Sequence, residues 1–189
     1  MAAPPEITLG DLSGQWVINK TLSDDPDPVL AMQGVGWWTR KAIAYATVTL
    51  HVKQYVDEQG LTHIDIEQTA TGGIKGTTEL RTLDWVEREH NDHIFGDLKG
   101  KGRWLNFDSG LIDDDYLKED WLEGPEEVAG PNGEKHIQSF VDAAGGWTGN
   151  QIWGFAMIGN ERRYTRRFTV IKGDQVKKIR LVYDWQGKK

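Results

Sequence analysis

The side chains able to do chemistry in this chain are mostly histidines and carboxylates on segments of two-residue period. His51, His63, His136, Asp65, Glu67, Glu79 and Tyr164 all lie on such segments, where alternate residues share a face. A carboxylate turned inward there would be desolvated and its pKa raised, giving a usable acid or base. About half of all strand residues face out, so the pattern does not choose among the seven. His90-Asn91-Asp92-His93, with Glu87 and Glu89 beside it, has metal-ligating types but reads as a solvated turn with nothing to fix a geometry. Asp113-Asp114-Asp115, with Glu119 and Asp120, lacks the spacing and glycine of a calcium loop and reads as acidic surface. Asn19-Lys20-Thr21 has the form of a glycosylation sequon and, without a signal peptide, reads as chance. There is no G-x-S-x-G, no phosphate-cradling loop and no dinucleotide fingerprint, so no cofactor and no metal are expected.

The absence of cysteine removes disulfides, thiolate nucleophiles and zinc sites built on sulfur. A net charge of −7 argues against nucleic acid as a partner. Two basic clusters, Arg162, Arg163, Arg166, Arg167 and Lys177, Lys178, Arg180, read as solvated strand faces. No apolar run reaches the ~20 residues of a membrane span, and residues 1–12 lack the pattern of a secretory signal. The expected setting is cytoplasmic, without stable membrane insertion. Nine tryptophans and 22 glycines against six prolines suit a β-barrel with bulges and an aromatic lining.

The elements that must position these residues follow from period and punctuation. Residues 1–11 read as a flexible lead, and residues 12–189 as one barrel domain. Gly14-Gln15-Trp16-Val17-Ile18-Asn19 is a first strand. Residues 29–45 are helical but broken at Gly34 and Gly36, which predicts two short helices. From Thr47 the period becomes two, with strands over 47–55, 62–68 and 77–86, then 136–141, 151–158, 163–171 and 176–185. Turns are expected at 57–60, at Gly72-Gly73, at 89–92, at Gly159-Asn160 and at Gly173-Asp174. Residues 108–132 form an insertion with a helical turn near 116–121. More than half of the ordered residues should be strand. The class is mainly β: an antiparallel up-and-down barrel of about ten strands with a helix-turn-helix lid.

Gly14-x-Trp16, an acidic turn and Gly34-Val35-Gly36-Trp37-x-Thr39-Arg40-Lys41 together resemble the opening of intracellular fatty-acid-binding proteins, within the calycin superfamily. Ile74-Lys75-Gly76-Thr77-Thr78-Glu79 is similar to that family's F-K-N-T-E segment, with one residue extra. The chain also resembles lipocalin-like proteins of fungi. The resemblance implies a barrel enclosing a small hydrophobic molecule, a lipid, terpenoid or polyketide. It implies that Met32, Val35, Thr39 and Ile43 line the mouth, while Ile74, Lys75, Thr78 and Tyr183 face the interior. Strand alternation adds Gln68, Gln151 and Trp153, the last two in a segment that puts aromatic area and an amide on one face. From the wider calycin group comes a packed pair at the closed end, for which Trp16 and Arg180 are the candidates. At the last strand the family's R-x-Y carboxylate clamp is broken, because Leu181 stands where the arginine is expected. A regular strand puts Arg180 and Tyr183 on opposite faces, and a bulge would reunite them. Binding of an apolar ligand leads. A cofactor-independent isomerase or cyclase in the same cavity is the alternative, and a solidly packed interaction module the third.

Overall fold

Two-residue alternation from Thr49 onward drives almost every element into a single sheet. The computed structural model describes residues 1–72 and 74–188; Gly73 of the expected Gly72-Gly73 turn lies outside the described residues. The strands are β1 (Gly14–Ile18), β2 (Thr49–Val56), β3 (Thr62–Ala70), β4 (Ile74–Thr82), β5 (Arg88–Asp92), β6 (Gly96–Leu105), β7 (His136–Ala143), β8 (Trp147–Ile158), β9 (Glu161–Lys172) and β10 (Gln175–Gly187). They run antiparallel in the order β4-β3-β2-β1-β10-β9-β8-β7-β6-β5, so β1 bridges the first and last hairpins and curls the sheet into a nearly closed barrel. One seam stays open, between β4 and the β5–β6 hairpin. Strand makes up 49% of the described residues, just short of the majority expected.

Residues 89–92 are a strand, where a turn was expected. Edge strands tolerate polar side chains, and Arg88-Glu89-His90-Asn91-Asp92 borders the open seam. The turn comes at the end of that strand, where Asp92 Oδ1 accepts from the amides of Ile94 and Phe95 at 2.8 and 3.0 Å. The β8–β9 and β9–β10 turns fall as expected, with Gly159 and Gly173 in the left-handed region that two-residue hairpins require.

Helices α1 (Asp27–Met32) and α2 (Trp37–Tyr45) fill the β1–β2 connection. Gly34, at φ +86°, ends the first, and Gly36 precedes the second. Helix α1 buries Val29 and Met32 against Val141, Ala143, Trp147, Val170 and Ile179, which forms an apolar layer beneath the lid. A second layer fills the opposite end. There Trp16 packs on Trp185, Tyr164 and Phe155 at 4.6, 5.1 and 6.4 Å between ring centroids. Ala3, Ile7, Leu9 and Leu12 from the N-terminal lead are buried in that layer, and Trp16 Nε1 donates to the Leu12 carbonyl at 3.0 Å. Outside the barrel, α3 (Asp115–Lys118) and the turns around it cover Ile152 with Ile112 and Leu117.

Arg180 does not stack on Trp16. It pairs across β9–β10 with Arg167, whose guanidinium holds Asp120 beneath the insertion, so both arginines point outward. The arginine at the closed end is Arg162, 3.7 Å above the Phe155 ring and paired with Glu127 at 2.6 Å. Nor are Arg162, Arg163, Arg166 and Arg167 a solvated face. Arg163, Arg166 and Arg167 are buried, each in an ion pair, and alternation sends Arg166 inward and its two arginine neighbours outward. Lys177 and Lys178 are exposed, as expected.

Candidate functional site: a charged belt inside the barrel

Between the two apolar layers lies a polar belt. In-register pairing sets Tyr183, Tyr164 and Phe155 side by side, with Leu181, Arg166, Trp153 and Ile137 in the next row. From the far wall, Val52 pairs with Ile66 and Ile66 with Glu79, which brings Glu79 onto the same inner surface. Arg166, 2% exposed, spans the lumen. Its Nη1 donates to both Glu79 oxygens at 3.2 Å and its Nε to the Tyr164 hydroxyl at 2.8 Å. The guanidinium lies 3.9 Å over the Trp153 ring, which combines cation–π attraction with shielding from solvent. Gln68 Nε2 and Arg81 Nη2 complete the shell of Glu79 at 3.0 and 3.4 Å.

Burial by itself would raise the Glu79 carboxyl, but Arg166 and Arg81 outweigh it and hold the group below its ordinary value. Burial would likewise lower Arg166, yet the Glu79 charge keeps it protonated beyond question. Tyr183 is pushed up to about 12 by burial, and Tyr164 rises for the same reason, so both phenols are neutral donors. Two guanidiniums against one carboxylate leave this belt with one net positive charge.

The pairing is incomplete in an informative way. Arg166 Nη2 and Arg81 Nε are buried and make no hydrogen bond, as does Ser139 Oγ. Ser139 pairs across the strand with Gln151, whose amide oxygen accepts from Trp153 Nε1 at 3.1 Å. A buried donor without a partner costs about 1–3 kcal/mol. Inner-face donors of this kind, beside the Trp153 ring, can take an oxygen that the chain itself does not supply.

Of the expected site residues, the lumen gathers Gln68, Gln151, Trp153 and Tyr183. Met32 and Val35 are buried under the lid. Thr39 is exposed and Ile43 half-exposed, because α2 buries none of its residues. Ile74 is 67% exposed at the start of β4. Lys75 is exposed and pairs with Thr69, and Thr78 pairs with Glu67; both therefore share the outer face with His51 and oppose Glu79. The register slip between Glu67 and Thr69 sits beside them, where the extra residue of the matching segment falls. Among the seven candidate acids and bases, only Glu79 and Tyr164 reach the lumen. His63 is bound to Asp57 on the outer face at 2.7 Å, and Asp65 pairs with Lys53 and Leu80 on that face. His136 is buried between Phe107 and Trp121 outside the barrel and meets Glu123 at 2.6 Å.

The sequence reading missed Arg166, Arg81 and Ser139. A signal for the first was present: Tyr164-x-Arg166 is the reverse of R-x-Y, on the strand that pairs with the last one. From Arg180 to Tyr183 the final strand pairs with β9 in unbroken register, so Tyr183 points in and Arg180 out, and no bulge reunites them.

A ten-stranded antiparallel barrel, split along one seam and lidded by two helices, is the fold of the fatty-acid-binding proteins. Solved structures agree on that fold. A Caenorhabditis elegans lipid binding protein, LBP-8, superposes with a TM-score of 0.59 at 12% identity, covering 96% of this chain and 99% of that one. A Schistosoma mansoni fatty acid binding protein in complex with arachidonic acid gives 0.53 at 16%, covering 93% and 96%. No family profile matches the chain. Two proteins match it nearly end to end. The probable pericyclase scpY of Mollisia scopiformis is 34% identical over 187 residues, 98% of this chain and 95% of that protein. Pericyclase pydY of an Acremonium species is 31% identical over 188 residues, 99% and 98%. The chain belongs to the family of these two proteins.

Proposed function

We propose that the barrel binds a small apolar molecule bearing a neutral carbonyl, and that it folds this molecule for a pericyclic ring closure. The observation that carries the reading is the buried, unpartnered Nη2 of Arg166 in an aromatic lumen. Its other donors are occupied by Glu79 and Tyr164, and the Glu79 charge beside it disfavours a second carboxylate. With Glu79 already on the guanidinium, the free Nη2 suits a neutral carbonyl oxygen better than a second, charged carboxylate.

Such a donor polarises an alkene conjugated to the carbonyl. In a water-excluded site one oriented donor contributes about 3–4 kcal/mol to a reaction that builds charge on that oxygen. Holding diene and dienophile in contact supplies more, up to roughly 7–11 kcal/mol of avoided entropy. In a cycloaddition two π bonds become two σ bonds and no proton, electron or leaving group departs, so shape and a donor suffice. The names of the two relatives support the cyclisation half of this reading. Nucleic acid is not the proposed partner, since the arginines of β9 are committed to internal ion pairs. A cytoplasmic setting belongs to the same proposal; among the described residues no helix is long and apolar enough to cross a membrane.

Two probes test it. cis-Parinaric acid and its methyl ester report binding by fluorescence, and the ester is expected to bind at least as tightly as the acid; an acid bound tenfold tighter would restore the carboxylate clamp. 1,7,9-Decatrien-3-one, which cyclises slowly by itself, should close faster on the protein and give enantiomerically enriched product. Racemic product at the background rate, with ester binding intact, would leave a carrier and remove the catalyst.

A further inference from the structure

The open seam carries a feature that the lumen does not explain. Between β4 and β6 there is a cavity of about 130 Å³, lined by Leu80, Arg81, Val86, Leu98, Gly100 and Val141 among others. Its rim mixes exposed apolar side chains, Leu80 and Val86 at 59% and 53%, with Arg88, Glu89, His90 and Lys101. Its inner wall reaches the layer beneath the lid, to which Val141 and Leu98 belong. At one end the seam is latched. The Trp85 amide donates to the Gly102 carbonyl at 2.8 Å, and the Trp85 ring lies under Arg103 and Lys101 at 3.9 and 4.6 Å. Trp85 adopts φ +59°, an unusual angle for so large a residue, to reach that position. Gly102 permits the close approach, since a Cβ there would stand 3.2 Å from Leu83.

Gly100 is different. It lies on the inner face of β6 in the cavity wall, and a Cβ there would meet only ordinary contacts at 3.8–3.9 Å, one of them Arg81 Nη1. Space has therefore been left at Gly100 that backbone packing does not demand. Arg81 stands at the junction. Its Nη2 joins the charged belt through Glu79, while its Nε is buried without a partner.

We propose that this seam cavity is a ligand subsite for a ring-sized apolar group carrying one hydrogen-bond acceptor, with the acceptor on Arg81. A cavity of about 150 Å³ in another protein admits benzene, so six or seven heavy atoms is the right scale. The inference deepens the lumen reading, which it meets at Arg81, but its own evidence is the seam.

The test uses amide chemical-shift perturbation with 2-cyclohexen-1-one, and with cyclohexene as the partner lacking the oxygen. The ketone should shift the amides of Leu98, Gly100 and Val141 with millimolar affinity, and cyclohexene should bind several-fold more weakly. Gly100→Val fills the cavity and should weaken the ketone at least tenfold, while melting normally and still binding parinaric methyl ester. Arg81→Met should erase the preference for the ketone over cyclohexene. Ketone shifts absent from these amides in the parent, or unchanged in a folded Gly100→Val protein, would overturn the subsite whatever the ester does. Loss of ester binding in the parent, with ketone shifts present, would overturn the lumen reading and leave the seam standing.

Discussion

Replacing Glu79 by Gln tests whether the belt is a true buried ion pair. The change keeps the shape of the side chain and one acceptor oxygen but deletes the charge facing Arg166 and Arg81. At an effective dielectric of about 20, a unit pair at 3.2 Å is worth about 5 kcal/mol of gross attraction, most of it offset by the dehydration of both ions. What the substitution exposes is the uncompensated half: Arg166, 2% exposed, would remain charged and buried without its counter-ion. Breaking such a pair costs about 3–5 kcal/mol. The Tyr164 hydroxyl and the Trp153 face still hold the guanidinium, which puts the expected cost near 3 kcal/mol. In a chain of this length that lowers the midpoint by about 6–12 °C. The pH dependence supplies a second readout. Because the folded-state carboxyl is depressed, its stabilisation is complete above the ordinary value of 4.5 and disappears as pH falls through the folded value. The gap between parent and Glu79→Gln should therefore be full at pH 7 and narrow in acid. Thermal melts followed by circular dichroism from pH 7 to pH 3 measure both. A midpoint within 2 °C of the parent, or a gap of constant width across that range, would show that Glu79 does not neutralise Arg166.

Trp16→Ala removes a fully buried indole from the closed end and should cost about 3–5 kcal/mol in denaturant unfolding. Arg180→Ala, which removes a guanidinium hydrogen bond of 3.4 Å to the Leu22 carbonyl, should cost under about 1 kcal/mol, reversing the importance the sequence assigns to it. Gly154→Ala should open the outer face. A Cβ there would stand 2.7 Å from Trp121 and 2.9 Å from His136 Nδ1, so faster proteolysis within residues 106–135 is the expected readout, and unchanged cleavage would contradict the packing.

The parts of this protein legible in its sequence are those governed by local rules. The two glycine-punctuated lid helices, the final hairpins and the G-x-W strand each follow from period or turn chemistry within a dozen residues. The β5 strand was hidden because an edge strand beside an open seam can be wholly polar, and its composition then matches a turn. The site was harder for a related reason. Glu79 and Arg166 are 87 positions apart, and each looks like ordinary surface charge until barrel closure brings them together. Alternation correctly separates Arg166 from Arg167, but it cannot say which of the two points inward. That depends on the aromatic neighbours of the next strand, and Trp153 on β8 decides it by presenting its ring to Arg166.

The placement of that charge bears on why a fold of this type could turn from carrying to catalysis. A carrier needs only an apolar volume and one anchor, and an arginine free to pair with a carboxylate serves well. Here the arginine already holds Glu79, which weakens it as an anchor for an acid and leaves its Nη2 without a partner. A fixed ion pair also stiffens the belt, since moving Arg166 would separate it from Glu79, Tyr164 and Trp153 together. Rigid donors serve a transition state better than a ground state, because they need no reorganisation as charge develops. An Arg166→Lys variant separates the two roles. Lysine keeps the charge near Glu79 but loses the planar fork that sets the direction of Nη2. Binding of parinaric methyl ester should then change less than threefold, while enantiomeric enrichment of the decatrienone product collapses. Enrichment that survives the change would mean that the walls of the barrel, and not this donor, choose the fold of the substrate.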